Sequence, residues 1–198
     1  MRTDHELLDA WRAGDTGAGD DLVSRHWASV SRFFRAKVGD DGADLISQTF
    51  LACVEGKDRI EGENVKAYLF AVARRRLADH FRRRARAPVV DFGLSSLADL
   101  ATGPATELGR RQRGELLREG LARIPLDDQI ALELAYFESL STRELAAVLE
   151  VPENTVRSRL SRARDKLRVA LGELGTPDEV TLAESQLDPA LSETRGSE

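Results

Sequence analysis

The chain is poor in the groups that most often carry chemistry or cross-link a fold. It has a single cysteine, Cys53, among 198 residues. One thiol can neither close a disulfide within the chain nor build a cysteine-based zinc site. Cys53 sits in an apolar stretch, which reads as a buried structural thiol. The three histidines, His5, His26 and His80, are scattered and share no ligand spacing with a carboxylate. No phosphate loop, nucleophile elbow or metal motif occurs. Together these absences argue against an enzyme: no catalytic residue, metal or cofactor is expected. No apolar run approaches the length of a membrane span, and the opening MRTDHELLDAW lacks a signal-peptide core. The expectation is a cytoplasmic protein without membrane insertion. Strand chemistry is scarce throughout, so the chain reads as all-α.

Hydrophobic residues make up 41% and charged residues 32%, as in a globular protein. The net charge of −5 would by itself argue against a nucleic-acid partner. The charge is unevenly spread, however, and a local basic footprint matters more than the total. Arginine is concentrated in particular segments, among them those near residue 80 and near residue 160, while acids fill much of the remainder.

The second of these segments is STRELAAVLEVPENTVRSRLSRARDKLR, residues 141–168. It reads as two helices and a short turn. Ser141-x-x-Glu144 is a capping box. Leu145, Val148 and Leu149 follow at helical spacing. Val151-Pro152 breaks the pattern, and Pro152 is tolerated in the first turn of the next helix. In that helix Val156, Leu160, Ala163 and Leu167 form one apolar stripe. Arg157, Ser158, Ser161, Arg162, Arg164 and Arg168 lie off it. A helix–turn–helix whose second member presents arginine and serine suits a DNA major groove, where arginine reads guanine bidentately and serine fits either base. A helical hairpin with a solvated basic face is the alternative.

Upstream, residues 3–13 read as a helix opened by a second capping box, Thr3-x-x-Glu6, with Leu7, Leu8 and Trp11 on one side. Gly17 and Gly19 suggest a loop, and a second helix is expected from about residue 20 to 38, with Leu22, Val23, Trp27, Val30, Phe33 and Phe34 as core. A third helix covers residues 43–55, carrying Leu45, Ile46, Thr49, Phe50 and Cys53. After a polar loop, GKDRIEGEN, the fourth helix spans residues 65–86. Its basic set includes Lys66, Arg74, Arg75, Arg82 and Arg83. Such crowding of like charge costs stability unless an anion neutralises it. Tyr68 and Phe70 either flank this surface as stacking platforms for single-stranded DNA or belong to the core; periodicity leaves both open. Residues 88–106 read as a flexible linker. A second helical unit occupies residues 107–172, with Leu116, Leu117, Leu121 and Ile124 as one stripe and Ile130, Leu132 and Leu134 in the next. The acidic tail, residues 173–198, reads as disordered and could compete for the basic surfaces.

The order of these segments resembles that of the extracytoplasmic-function (ECF) sigma factors of bacterial RNA polymerase, members of the sigma-70 family. The likeness spans residues 5–171. ENTVRSRLSRARDKLR is similar to region 4.2, IPLDDQIALELAYFESLSTRELAAVL to region 4.1 and the first helix of its helix–turn–helix, DLISQTFLA to region 2.2, and YLFAVARRRLADHFRRR to regions 2.3 and 2.4. The resemblance implies two small helical domains joined by a linker, at residues 1–87 and 107–172. The second would read the −35 promoter element as duplex through Arg157, Ser158, Ser161, Arg162 and Arg164. The first would hold the −10 element as a single strand. Glu63, Asn64 and Lys66 would accept a flipped base, and Tyr68, Arg74, Arg75, Arg82 and Arg83 would contact the strand. Asp44, Leu45, Ser47, Gln48 and Phe50 would dock on the β′ clamp helices of core polymerase, with the β flap as a further contact. An anti-sigma factor is an expected partner beside promoter DNA. The family usually has Gln-Glu at Ser47-Gln48, tryptophan at Tyr68, asparagine at Arg75 and glycine at Glu150. A stand-alone helix–turn–helix regulator is the alternative function. It leaves the basic fourth helix and DLISQTFLA without a role.

Overall fold

The computed structural model describes residues 2–60, 64–84 and 107–175. Glu63, the expected linker and residues 176–198 of the expected tail lie outside the described residues. Among the described residues every regular element is helical. The chain divides into two compact units, residues 1–96 and 97–198.

The first unit contains α1 (Asp4–Arg12), α2 (Thr16–Val38), α3 (Gly42–Gly56) and α4 (Val65–Arg84), with single 3-10 turns at Gly39–Asp41 and Lys57–Arg59. The Thr3 capping box forms: Thr3 Oγ1 accepts from the Glu6 N–H, and Glu6 Oε2 accepts from the Thr3 N–H. The reading of Gly17 and Gly19 as a loop is corrected. Both lie in the first turn of α2, which starts at Thr16 under an Asp15 cap accepting from the Ala18 N–H at 3.2 Å. Gly19 serves close approach: a Cβ there would lie 2.6 Å from Trp11 Nε1. Small size, not backbone freedom, is what this position requires.

The helices meet over Leu7, Leu8, Leu22, Val30, Phe33, Phe34, Leu45, Ile46, Phe50, Leu69, Phe70 and Leu77, all buried. Phe33 is the hub. It packs edge-on against Phe34 at 5.3 Å and Phe70 at 5.6 Å between centroids, and Lys37 Nζ lies 4.0 Å from its centroid. Such edge-to-face pairs add to the stabilisation from burial. Trp27, expected in this core, is 47% exposed. Cys53 is buried as expected, and burial pushes its thiol pKa up to about 11.

A polar tie locks α1 to α2. Asp4 accepts from Arg25 Nη1 at 2.6 Å and lies 2.6 Å from Nε2 of the buried His26. Burial raises the Asp4 pKa, but the Arg25 hydrogen bond and the neighbouring His26 outweigh it and hold the carboxyl below its ordinary value.

The second unit contains α5 (Glu107–Ala122), α6 (Leu126–Tyr136), α7 (Thr142–Leu149) and α8 (Glu153–Gly172). The other three helices pack on α8. Leu117, Leu121, Ile124, Leu132, Ala163, Leu167, Ala170 and Leu171 form a buried cluster. Gly120 lets α5 approach α8, since a Cβ there would lie 2.7 Å from Leu171 Cδ2. At the start of α6, buried Asp128 accepts from Lys166 Nζ of α8 at 2.5 Å.

The turn between α7 and α8 carries strain. Ser141 and Glu144 form the expected capping box. Glu150 ends α7 in the left-handed region, at φ 57° and ψ 42°, with its N–H donating to the Ala146 carbonyl. The Val151 N–H donates to the same carbonyl at 3.2 Å. Glycine adopts this conformation freely, whereas a side chain there costs about 1–2 kcal/mol. Pro152 is the N-cap of α8, one position before the first turn where it was expected. Its carbonyl still accepts from the Thr155 and Val156 N–H groups at 2.9 and 3.2 Å.

Two outcomes are expected. Because the Asp4 pKa is lowered on folding, its tie stabilises the native state above the unfolded carboxylate value of about 4 and is lost as pH falls through the folded value. Asp4→Asn should therefore destabilise the first unit at pH 7, with the gap to the parent chain closing below about pH 4; urea unfolding at both pH values checks this. Glu150→Gly should raise the stability of the second unit by about 1 kcal/mol, less what glycine loses through its freer unfolded state. Thermal unfolding reads that change.

Candidate nucleic-acid and polymerase interfaces

The two-sidedness expected for α8 is present. Val156, Ala163 and Leu167 are fully buried and Leu160 is half-buried. Arg157, Ser158, Ser161 and Arg162 are exposed, and all four fall in the first half of the helix. Arg164 is only half-exposed. Two of these side chains are steadied by their own backbone: Ser158 Oγ donates to the Thr155 carbonyl at 3.0 Å, and Arg162 Nε donates to the Ser158 carbonyl at 3.3 Å. The Arg162 bond uses Nε, and the residue is exposed; the two terminal nitrogens of a guanidinium suit bidentate acceptors. The Lys166–Asp128 tie and the shared core hold the exposed side of α8 at a fixed angle to α6 and α7.

In α4 the buried side is Val65, Ala67, Leu69, Phe70, Val72, Ala73 and Leu77. This decides the two readings of the aromatics. Phe70 is 1% exposed and packs on Phe33, so it is core and offers no platform to a base. Tyr68 is half-buried, with its hydroxyl over Gly56, where a Cβ would lie 2.2 Å away. Asn64 is exposed immediately before the helix, and Lys66 is half-buried in its first turn. Arg75, Arg82 and Arg83 are exposed, while Arg74 is half-buried. Arg82 pairs with Asp79 on its own helix, and Arg84 pairs with Asp41 at 2.6 Å. The basic crowd on α4 is thus partly neutralised internally.

On α3 the expected docking set divides. Asp44 and Ser47 are exposed and Gln48 is half-buried, its Nε2 donating to Asp44 Oδ2 at 2.6 Å. Leu45 and Phe50 are 2% and 6% exposed, so both face the core and neither offers itself to a partner. Other apolar side chains, absent from that set, stand outside instead. Leu51 and Val54 are 56% and 46% exposed on the same side as Ser47. On α2, exposed Trp27 stacks on Phe50 at 5.3 Å with the rings 14° apart. The signal was present in the sequence: 47, 51 and 54 follow helical spacing opposite the 46–49–50–53 stripe, so apolar residues there had no core to enter.

No cluster of three or more His, Cys, Asp or Glu side chains that could hold a metal occurs among the described residues. No described helix is long and apolar enough to cross a membrane.

Comparison with known proteins matches these surfaces to a family. Residues 22–87 match Sigma-70 region 2, and residues 114–167 match Sigma-70, region 4. The chain is 28% identical over 179 residues to the ECF RNA polymerase sigma factor SigM of Mycobacterium tuberculosis, spanning 88% of each protein. It is 25% identical over 177 residues to the ECF RNA polymerase sigma-E factor of Haemophilus influenzae, covering 83% of this chain and 93% of that one. Among solved structures, CnrH in complex with the cytosolic domain of CnrY shares the fold at TM-score 0.62 and 23% identity, over 87% of this chain and 99% of that one. The sigma factor RpoE of Bartonella quintana, in complex with the anti-sigma factor NepR, does so at TM-score 0.62 and 23% identity, over 77% of this chain and 96% of that one. The chain belongs to the sigma-70 family and is an ECF sigma factor, a subunit that directs RNA polymerase to promoters and performs no catalysis itself.

Proposed function

We propose that this sigma factor grips a promoter at two separate places, with residues 1–87 serving core polymerase and the −10 element and residues 107–172 serving the −35 element. The observation that carries the reading is the exposed set Arg157, Ser158, Ser161 and Arg162 at the start of α8, opposite a fully buried stripe. These side chains face the −35 duplex in the major groove. Guanidinium forks pair with guanine edges, and the serines adapt to either base. Arg164, half-exposed further along, serves the phosphates.

In the first unit, Asn64 and Lys66, with Glu63, receive a base turned out of the −10 strand. Unstacking costs a few kcal/mol, which Tyr68, Arg74, Arg75, Arg82 and Arg83 offset through contacts to the strand. The polymerase-facing surface is the exposed side of α3, Asp44, Ser47 and Gln48, extended by the apolar residues Leu51, Val54 and Trp27. Exposed aromatic and aliphatic anchors of this kind concentrate binding energy in protein interfaces. Core polymerase, through its β′ clamp helices, is the occupant, and the β flap meets the second unit. The solved relatives bound to an anti-sigma factor and to the CnrY cytosolic domain support an inhibitory protein partner that competes for these surfaces.

Arg157→Ala and Arg162→Ala should each cost about 1–3 kcal/mol at one position of the −35 element. Transcription from −35 variants with core enzyme measures it; equal loss on every variant would mean phosphate contact alone. Tight, specific binding of the free protein to duplex would instead favour a stand-alone regulator. Leu51→Glu should weaken capture of core polymerase about tenfold or more without altering the −35 preference of the initiation that remains. Competition against the parent chain for limiting core enzyme reads this.

A further inference from the structure

Trp27 of α2 is 47% exposed, yet its ring is not loose. It lies on the ring of Phe50 in α3, with 5.3 Å between centroids and the planes 14° apart. Phe50 itself is 6% exposed. The stack therefore has one buried member and one outward member. Along α3, Phe50 comes three residues after Ser47 and four before Val54, spacings that place the three along one edge of a helix. Ser47 and Val54 are exposed, and so is Leu51. The outer ring of the stack thus stands beside the outward side of α3 and joins that side to α2.

This surface suits a protein rather than nucleic acid. Helix α3 contains no lysine or arginine, and its two charged residues, Asp44 and Glu55, are exposed acids. Such a side offers a phosphate no cation to pair with. Its polar groups are in part spent within the helix: Gln48 Nε2 donates to Asp44 Oδ2 at 2.6 Å, and Ser47 Oγ donates to the Ala43 carbonyl at 3.1 Å. Trp27, Leu51 and Val54 remain as apolar area for a partner to cover. The protein that a sigma factor must hold in order to act is core polymerase. An indole half out of water gains from burial against that partner, and one already held in place loses little freedom on binding. Phe50 supplies the hold, since stacked rings at this separation attract each other.

We propose, on the docking reading given above, that Trp27 is the apolar anchor of polymerase capture and that Phe50 is a positioning residue acting through it. The buried ring keeps the indole upright and ready for the partner. Phe50 thereby contributes to capture although its burial denies it direct contact.

The test is competition of full-length variants against the parent chain for limiting core enzyme, with thermal unfolding of each variant alongside. Trp27→Leu is apolar but has no flat ring, and should weaken capture about tenfold or more. Trp27→Phe can still stack and should weaken it only about twofold. Phe50→Leu should lose about as much as Trp27→Leu, and the double variant no more than either alone, because the two residues act as one unit. The −35 preference of the initiation that remains should match the parent. Equal capture by Trp27→Leu and Trp27→Phe overturns the proposal. So does a drop in melting temperature with capture intact, which marks a ring that only lids the core. These two variants lie at an exposed position and decide the matter even if Phe50→Leu does not fold. Losses that multiply in the double variant overturn the role of Phe50. Leu51→Glu separates the stack from the docking reading. If it weakens capture and the Trp27 variants do not, only the role of the stack is lost. If none of them does, the docking reading falls as well.

Discussion

Like charges can be crowded along α4 and α8 only because the opposite side of each helix is anchored in a core. In isolation such helices would repel themselves and fray. Burial of Val65, Leu69, Phe70, Val72 and Leu77 in one, and of Val156, Ala163, Leu167 and Leu171 in the other, supplies the stability that the basic sides withdraw. The arginines are thereby presented on a rigid rod. A rigid presentation of donors is what reading base edges requires, since a flexible basic segment would bind any phosphate backbone alike.

Polar ties set the angles at which these rods stand. Asp4 bridges to Arg25 and His26, Asp128 to Lys166, and Asp41 to Arg84. Each joins residues far apart in sequence, and the first two involve a buried member. Their value is directional more than energetic, because a half-buried ion pair recovers little beyond its own desolvation. Gly19 and Gly120 act to the same end by size: each admits a neighbouring side chain where a methyl group would collide. The orientation of each helix is thus set partly by side chains and glycines on neighbouring helices.

Much of the architecture was legible beforehand. Both capping boxes, the helix–turn–helix and the buried stripe of α8 follow from spacing that local physics enforces, since a capped amphipathic segment has one stable way to fold against a core. The outward side of α3 is less legible. Resemblance grouped Leu45 and Phe50 with Asp44 and Ser47, although helical spacing puts the two apolar residues on the inner side. Trp27 was assigned to the core because an aromatic residue in an apolar stretch usually belongs there. Its exposure depends on where α3 crosses α2, which no local pattern encodes. Gly17 and Gly19 were misread for a similar reason, as the Trp11 ring that demands Gly19 is supplied by another helix.

The sequence by itself determined the helical class, the two capping boxes, the concentrations of arginine and the family they resemble, because each depends on residues within a few turns of one another. Only the tertiary structure decided which half of the α3 set faces outward, that Phe70 is core, that Arg82 and Arg84 are already paired, and that Arg12 at the end of α1 donates to the Lys57 carbonyl. Those facts arise from contacts between elements far apart in the chain, and their geometry exists only once the helices have packed.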